Sequence, residues 1–270
     1  NAFKVNEDVV IPLPRMGDYC DGIERINIEL SIENKLALCD ALADFLAGDL
    51  PLHRGDANLD NAVLIGDQRQ AALDTITAVR ERWQWLLDHL DLALADAESH
   101  FEALGVTATT ANASDSRTLF HRVQDHSVRV SWKTELKPQL DDVFAGNVFR
   151  LVRERIEAIH GETLRGRVFV AMHMHAGDGN VHTNIPVNSD NYAMLQTAYA
   201  AVTRVMALAR SLDGVISGEH GIGITKLEFL SEDEIRPFRE YKAKIDPDGH
   251  FNKGKLMAGA DLANAYTPSF

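Results

Sequence analysis

Apolar residues recur every three to four positions over long stretches of this chain and alternate over only a few short ones. Between Ile26 and Ala47, Leu36, Leu38, Ala41, Leu42, Phe45 and Leu46 mark one side of a helix, and Gly48 is placed to stop it. From Asp67, a suitable N-cap, the stripe Ile76, Val79, Trp83, Leu86, Leu90 and Leu94 predicts one long helix reaching Leu104, with Gly105 at its end. Leu136 to His160 repeats the pattern through Leu140, Val143, Phe144, Leu151, Val152, Ile156 and Ile159, and Gly161 closes it. Two further helices are predicted over Asp190–Leu212, stopped by Gly214, and Ser231–Ile245, which opens on a capping-box arrangement ending at Glu234. Leu119 to Val130 fits neither period.

Strand signals are fewer. Phe3 to Leu13 reads as a strand ending at the Pro12–Pro14 punctuation, and Val215 to Ser217 as a short one. Val168 to Asn184 is the most informative stretch. As a strand, its first half turns Phe169, Ala171, His173 and His175 to one face and Val168, Val170, Met172 and Met174 to the other. A tight turn over Ala176–Asn180 follows, and alternation resumes with His182 and Asn184 on a common face. Pro51–Gly66 reads as a polar loop with room for one short strand, and Val106–Ser116 as the best candidate for a mobile loop. Few strands separated by many helices predict an α+β fold, with a mostly antiparallel sheet flanked by helices. Residues 1–50 and 162–258 would form the α+β domain, 51–161 a mainly helical insertion, and 259–270 a weakly ordered tail.

Composition narrows the function classes. The net charge of −13, with no Lys/Arg cluster, argues against a nucleic-acid partner but leaves room for a small anionic substrate. Cys20 and Cys39 are too few and too poorly spaced for a disulfide framework, a zinc ribbon or an iron–sulfur cluster. No apolar run is long enough to span a bilayer. A reducing cytoplasm fits best, with any membrane association peripheral and made through an electron-transfer partner. The chain lacks an initiator Met, which suggests a fragment of something longer.

The chemistry converges on two places. On one straight strand His175 and His182, seven apart, would face opposite ways, and the reversal between them lets them meet. Some thirty-five residues on, Ser217 leads into Gly218-Glu219-His220-Gly221-Ile222-Gly223. His175, His182 and Glu219 make a two-nitrogen, one-carboxylate set that leaves coordination positions open, as a catalytic metal requires. The plainer alternative is that these histidines only satisfy the polar ends of a hairpin. His220 is placed to act as a general base or as a loop-stabilising donor, His173 to support rather than ligate, and Asp178 to hold its own turn. The glycine spacing is not that of a dinucleotide fold, and no P-loop, nucleophile elbow or H-E-x-x-H helix is present. Trp83 and Trp85 read as core, and His53, His89, His100, His121, His126 and His160 as surface residues.

Three ordered motifs together carry a resemblance: His175-Ala-Gly-Asp-Gly-Asn-Val-His182, then Gly218 to Gly223, then Asp246-Pro247 followed by Asn252-Lys253-Gly254-Lys255-Leu256. They resemble the C-terminal domain of FAD-linked oxidases, the family of D-lactate dehydrogenases, the glycolate oxidase flavin subunit and D-2-hydroxyglutarate dehydrogenase. Lys4 to Pro12 is similar, more loosely, to that family's Lys-x-Asp strand. The resemblance implies a substrate or cap domain closing over a flavin held by a separate FAD-binding domain. It implies His175, His182 and Glu219 as ligands of a divalent metal, zinc or manganese, with iron also compatible. It places Asn184 and His220 against the reacting hydroxyl, with His220 as base, Lys4 near a substrate carboxylate, and Asn252 near the flavin. Lys253 stands where the family has proline. The activity implied is oxidation of a D-2-hydroxy acid, with an iron–sulfur or other electron acceptor, and this chain alone would be inactive. Two other classes stay open: a free-standing metallohydrolase using the same ligands, and a non-catalytic domain that docks an electron-transfer partner.

Overall fold

Gly179 shows how the sheet is built. Its carbonyl accepts the Ile11 N–H at 2.9 Å, and Thr183 Oγ1 reaches the Glu7 carbonyl at 3.2 Å. As the number falls from 183 to 179 on one strand it rises from 7 to 11 on the other, so the two run antiparallel. The computed structural model describes residues 2–53, 65–97, 100, 117–223, 225–252 and 256. Strands β1 (Ala2–Val10), β2 (Ala171–His175) and β3 (Asn180–Asn188) form a sheet of order β1-β3-β2, in which β2 and β3 are an antiparallel hairpin. The predicted strand at Val215–Ser217 is reduced to one antiparallel bridge, Val10 to Val215, with both hydrogen bonds 2.9 Å long. The expected α+β class and antiparallel sheet are what the chain adopts.

The chain divides into two units, one comprising Asn1–Ile23, Val170–Val187 and Leu195–Phe270, the other Glu24–Phe169 and Asn188–Met194. In the first, the sheet is accompanied by α7 (Tyr192–Ser211) and α8 (Glu232–Ile245). Helix α7 buries Ala198, Ala201, Val202, Val205, Met206 and Ala209, a single face at helical spacing. Helix α8 starts as predicted, with Ser231 as N-cap and a complete capping box to Glu234. The loops expected at Val106–Ser116 and over most of Pro51–Gly66, and the tail 259–270, lie outside the described residues.

The second unit is helical and has an apolar core through Leu42, Ile76, Trp83, Leu86, Leu136, Phe144 and Val152. Three predicted helices have different bounds. Helix α1 (Met16–Ala47) begins ten residues before Ile26, because Tyr19, Ile23 and Ile26 extend the buried stripe through a glycine-containing start. The long helix from Asp67 is interrupted: α2 (Gln68–Asp88) ends at His89, and α3 (Leu94–Ala97) is a single short piece. Between them Leu90 and Leu92 offer their carbonyls to Phe120 and Leu119 N–H at 2.8 and 3.0 Å, so the backbone is satisfied without a helix. Leu90 and Leu94 remain fully buried through the break, which is why the periodicity concealed it. The ambiguous stretch contains α4 (Leu119–Gln124), capped by Thr118 and His121.

The helix expected over Leu136–His160 is also two. A π-helical turn (Trp132–Leu136) leads into α5 (Lys137–Val143), and α6 (Arg150–Arg165) follows a 3-10 turn at Asn147–Phe149. Gly146 supplies the break with φ of 89°, and Arg153 donates to the carbonyls of Phe144 and, at 2.8 Å, Gly146. Gly161 does not stop α6, which ends at Gly166.

Candidate metal centre and active site

The hairpin register places His173 opposite His182 and His175 opposite Asn180, so all four side chains emerge on one face. Gly179 makes the turn possible: its φ is 81°, and a Cβ there would sit 2.2 Å from the Ile11 carbonyl oxygen. Asp178 Oδ1 accepts the Asn180 N–H at 3.0 Å, holding its own turn as anticipated. The imidazoles of His173 and His182 stack at 4.8 Å, and that of His175 meets His182 edge-on at 5.5 Å.

Glu219 completes the cluster. Its carboxylate oxygens lie 3.8 Å from His175 Nε2 and 3.6 Å from His182 Nε2. One ligand atom from each residue falls within 4.8 Å of the others. An ion bound at about 2.0–2.2 Å to each would bring the donors to roughly 3.0–3.5 Å of one another, so the Glu219 contacts must close by a few tenths of an ångström and the widest pair by about an ångström or more. His182 is buried, whereas His175 and Glu219 are more than half exposed, leaving one side of the cluster open to a ligand. Asn180 Nδ2 donates to Glu219 Oε1 at 2.5 Å and fixes the carboxylate's direction. The donor set therefore fits a divalent ion.

Asp8 organises the loop that carries Glu219. Its fully buried carboxylate accepts the backbone N–H groups of Gly218 at 2.7 Å, Glu219, and His220 at 3.1 Å. Lys226, 1% exposed, donates to the same carboxylate and, at 2.8 Å, to the Asp8 carbonyl, with Glu7 Oε2 3.3 Å away. Burial alone would raise the Asp8 pKa, but the Glu219 N–H, Lys226 and the other amides hold it well below the usual carboxylate range. Burial pushes Glu7 upward against the opposing pull of Lys226. Gly218 is required by proximity, since a Cβ would meet Val10 Cγ2 at 2.7 Å and Asn180 Oδ1 at 2.8 Å. The same Asp8 carboxylate faces His220 Nδ1 at 3.6 Å, and the His220 ring lies 5.1 Å from that of His182.

The remaining candidates are dispersed. Asn184, on the site's face, points Nδ2 at His173 Nδ1 at 3.0 Å, and its Oδ1 is buried with no partner among the described residues. By strand register Asp8 stands opposite His182 and Lys4 opposite Pro186. Lys4 is exposed on the site's face, about 13 Å along the strand from Asp8. Asn252, with φ of 45°, lines a groove of about 550 Å³ together with Gly223, Phe238, Tyr241, Ile245 and Phe251. Lys253 lies outside the described residues. The sequence pattern alone assigns no role to Asp8, Lys226 or Asn180. The available hint was an acid placed directly before the apolar run Val9-Val10-Ile11, and a lone lysine just after the glycine loop.

Residues 144–256 match the family model "FAD linked oxidases, C-terminal domain". The chain is 39% identical over 90 residues to glycolate oxidase subunit GlcD of Escherichia coli strain K12, covering 32% of this chain and 18% of that protein. It is 41% identical over 87 residues to a D-lactate dehydrogenase of Archaeoglobus fulgidus, covering 31% and 19%. With a D-2-hydroxyglutarate dehydrogenase of Stutzerimonas stutzeri it shares 37% over 90 residues, covering 31% and 19%. The chain thus spans under a fifth of the length of these relatives. No helix among the described residues is long and apolar enough to cross a membrane. From Phe144 to Leu256 this chain is similar to the C-terminal domain of FAD-linked oxidases, the likeness that its three motifs carry.

Proposed function

We propose that this chain is the substrate-binding cap of an FAD-dependent dehydrogenase that oxidises a D-2-hydroxy acid of the lactate or glycolate type. The observation that carries the reading is the convergence of His175, His182 and Glu219 beside a His220 backed by an ionised Asp8. His175, His182 and Glu219 would hold a divalent ion, zinc or manganese, with the open side toward substrate. When bound, the ion supplies Lewis acidity toward a hydroxyl, and FAD supplies the two-electron acceptor. His220 takes the hydroxyl proton at Nε2, with the Asp8 carboxylate 3.6 Å from Nδ1 on the other side of the ring. Asn184 is assigned to the substrate beside the reacting hydroxyl and keeps His173 in place through Nδ2. Lys4 is assigned to the substrate carboxylate and Asn252 to the flavin edge. An FAD-binding domain of the same protein and an iron–sulfur or other acceptor would complete the enzyme, and this chain by itself would not turn over.

The test is metal content and affinity of the purified chain beside a His175→Ala/His182→Ala double variant, with FAD and D-lactate added to both. The expected result is stoichiometric metal in the natural chain, affinity reduced at least a hundredfold in the variant, and no turnover in either. Full metal retention by a folded variant would remove the ligand assignment, and turnover by the isolated chain would remove the cap assignment. Ester or amide hydrolysis without flavin would transfer the site to the metallohydrolase class.

A further inference from the structure

The helical unit has a cavity of its own, about 350 Å³ in volume, formed entirely by residues of that unit. Helix α1 contributes Lys35 and Ser31, the segment after α4 contributes Arg129 and Ser131, and the segment after α6 contributes Arg167. Three cations from three separate parts of the chain thus face one space, in a protein with 27 basic and 40 acidic residues.

These cations have little to neutralise them. Lys35 Nζ donates only to neutral oxygens of Ser31, Oγ at 2.7 Å and the carbonyl at 3.4 Å. Arg167 lies over the Phe169 ring at 5.2 Å and has no carboxylate partner among the described residues. Arg129 Nε reaches the His126 carbonyl at 3.4 Å. Glu24 is the one acid among the lining residues. Glu135, the carboxylate nearby, is committed to Arg82, to Trp83 Nε1 at 3.2 Å and to the Ser131 N–H at 2.6 Å. Burial, and then the neighbouring Arg167, push the Lys35 ammonium below the usual lysine range, with Glu135 pulling the other way. The floor is apolar: Ile28, Ile32, Val128 and Val168 are buried.

We propose that this cavity binds a small organic oxyanion, a carboxylate or phosphate head on an aliphatic body, at a site separate from the histidine cluster. The head pairs with Lys35 and Arg167, with Arg129 and the two serine hydroxyls completing its hydrogen bonds, and the body lies on the apolar floor. A volume of about 350 Å³ sits at the small end of ligand pockets, which sets the size of the body to a handful of carbons.

The experiment titrates the metal-free chain with hexanoate, hexyl phosphate, acetate and hexanol, following backbone amide shifts and heats of binding. Saturable binding is expected for hexanoate and hexyl phosphate, at least tenfold tighter than for acetate or hexanol, and the stronger of the two identifies the head group. Lys35→Met/Arg167→Gln should weaken both at least tenfold, whereas His175→Ala/His182→Ala should leave them unchanged. Arg167 is exposed, so Arg167→Gln alone serves as a variant whose fold is not in question, with a loss of at least threefold expected. Equal binding of hexanol, unchanged affinity in the cation variants, loss in the histidine variant, or no saturable binding would each overturn the proposal.

Discussion

Each of the two units is stabilised internally, and by opposite means. In the helical unit a continuous apolar cluster includes Trp83, Leu86, Leu90 and Leu94, all fully buried. In the sheet unit the loop that carries Glu219 and His220 is tied down by a single carboxylate, Asp8, with Lys226 behind it. The first arrangement is sensitive to volume and indifferent to identity among apolar residues. The second is sensitive to one charge. Removing atoms therefore breaks one, and removing a charge without changing shape breaks the other.

Asp8→Asn is the sharpest way to test that contrast and should have the largest effect. It leaves Lys226 buried with Glu7 as its remaining acidic partner, and breaking a buried pair of this kind costs about 3–5 kcal/mol. Urea unfolding should show a loss comparable to that of Leu86→Ala, about 2–5 kcal/mol, although only one of the two changes volume. Asp8→Asn/Lys226→Met should recover part of the loss, so the cycle should be strongly non-additive. The sign with pH follows from the depressed Asp8 pKa. Its contribution is fully present above the ordinary value of 3.8 and is lost as pH falls through the lower folded value. Additive costs, or a fully stable Asp8→Asn, would make the loop another piece of ordinary packing.

The contrast also explains what could be read from the sequence. Helical periodicity identified the apolar stripe through Ile76, Trp83 and Leu94 because burial repeats at the helical spacing. It missed the interruption at His89–Ala93 because the same residues stay buried whether or not the backbone continues its helix. The hairpin at Val168–Asn184 was legible because period two and a glycine turn specify both strand and register. Asp8 and Lys226 were not, since an acid before an apolar run and a lysine after a glycine loop do not identify a partner more than two hundred positions away.

A smaller effect separates two glycines in one turn. Gly179→Ala should cost more than about 1 kcal/mol, because φ is positive and the new methyl would meet the Ile11 carbonyl. Gly177→Ala, with nothing within 4 Å, should stay within about 0.5 kcal/mol. Thermal unfolding and metal affinity of the two variants would decide it, and equal behaviour would mean that the turn does not set the hairpin.

The smallest effect concerns α8. Arg210, followed by the Ser231 N–H and hydroxyl, lowers the Glu234 pKa to about 2. The cap should be intact above the ordinary value of 4.5 and be lost only as pH falls through about 2. Ser231→Ala should cost about 1 kcal/mol, equally at pH 6 and pH 3.5. A cost that disappears by pH 3.5 would show the carboxylate already protonated there.

The Asp8 anchor also has a consequence in time. Its amide partners follow it by 210, 211 and 212 residues. On a ribosome, Asp8 is made before these amides and waits as a hydrated carboxylate while the helical unit is synthesised. That unit is rich in local contacts and can form early, whereas the loop bearing Glu219 must await closure across the full intervening chain. Completing the candidate site thus requires β1 and the glycine loop to meet across more than two hundred residues of chain.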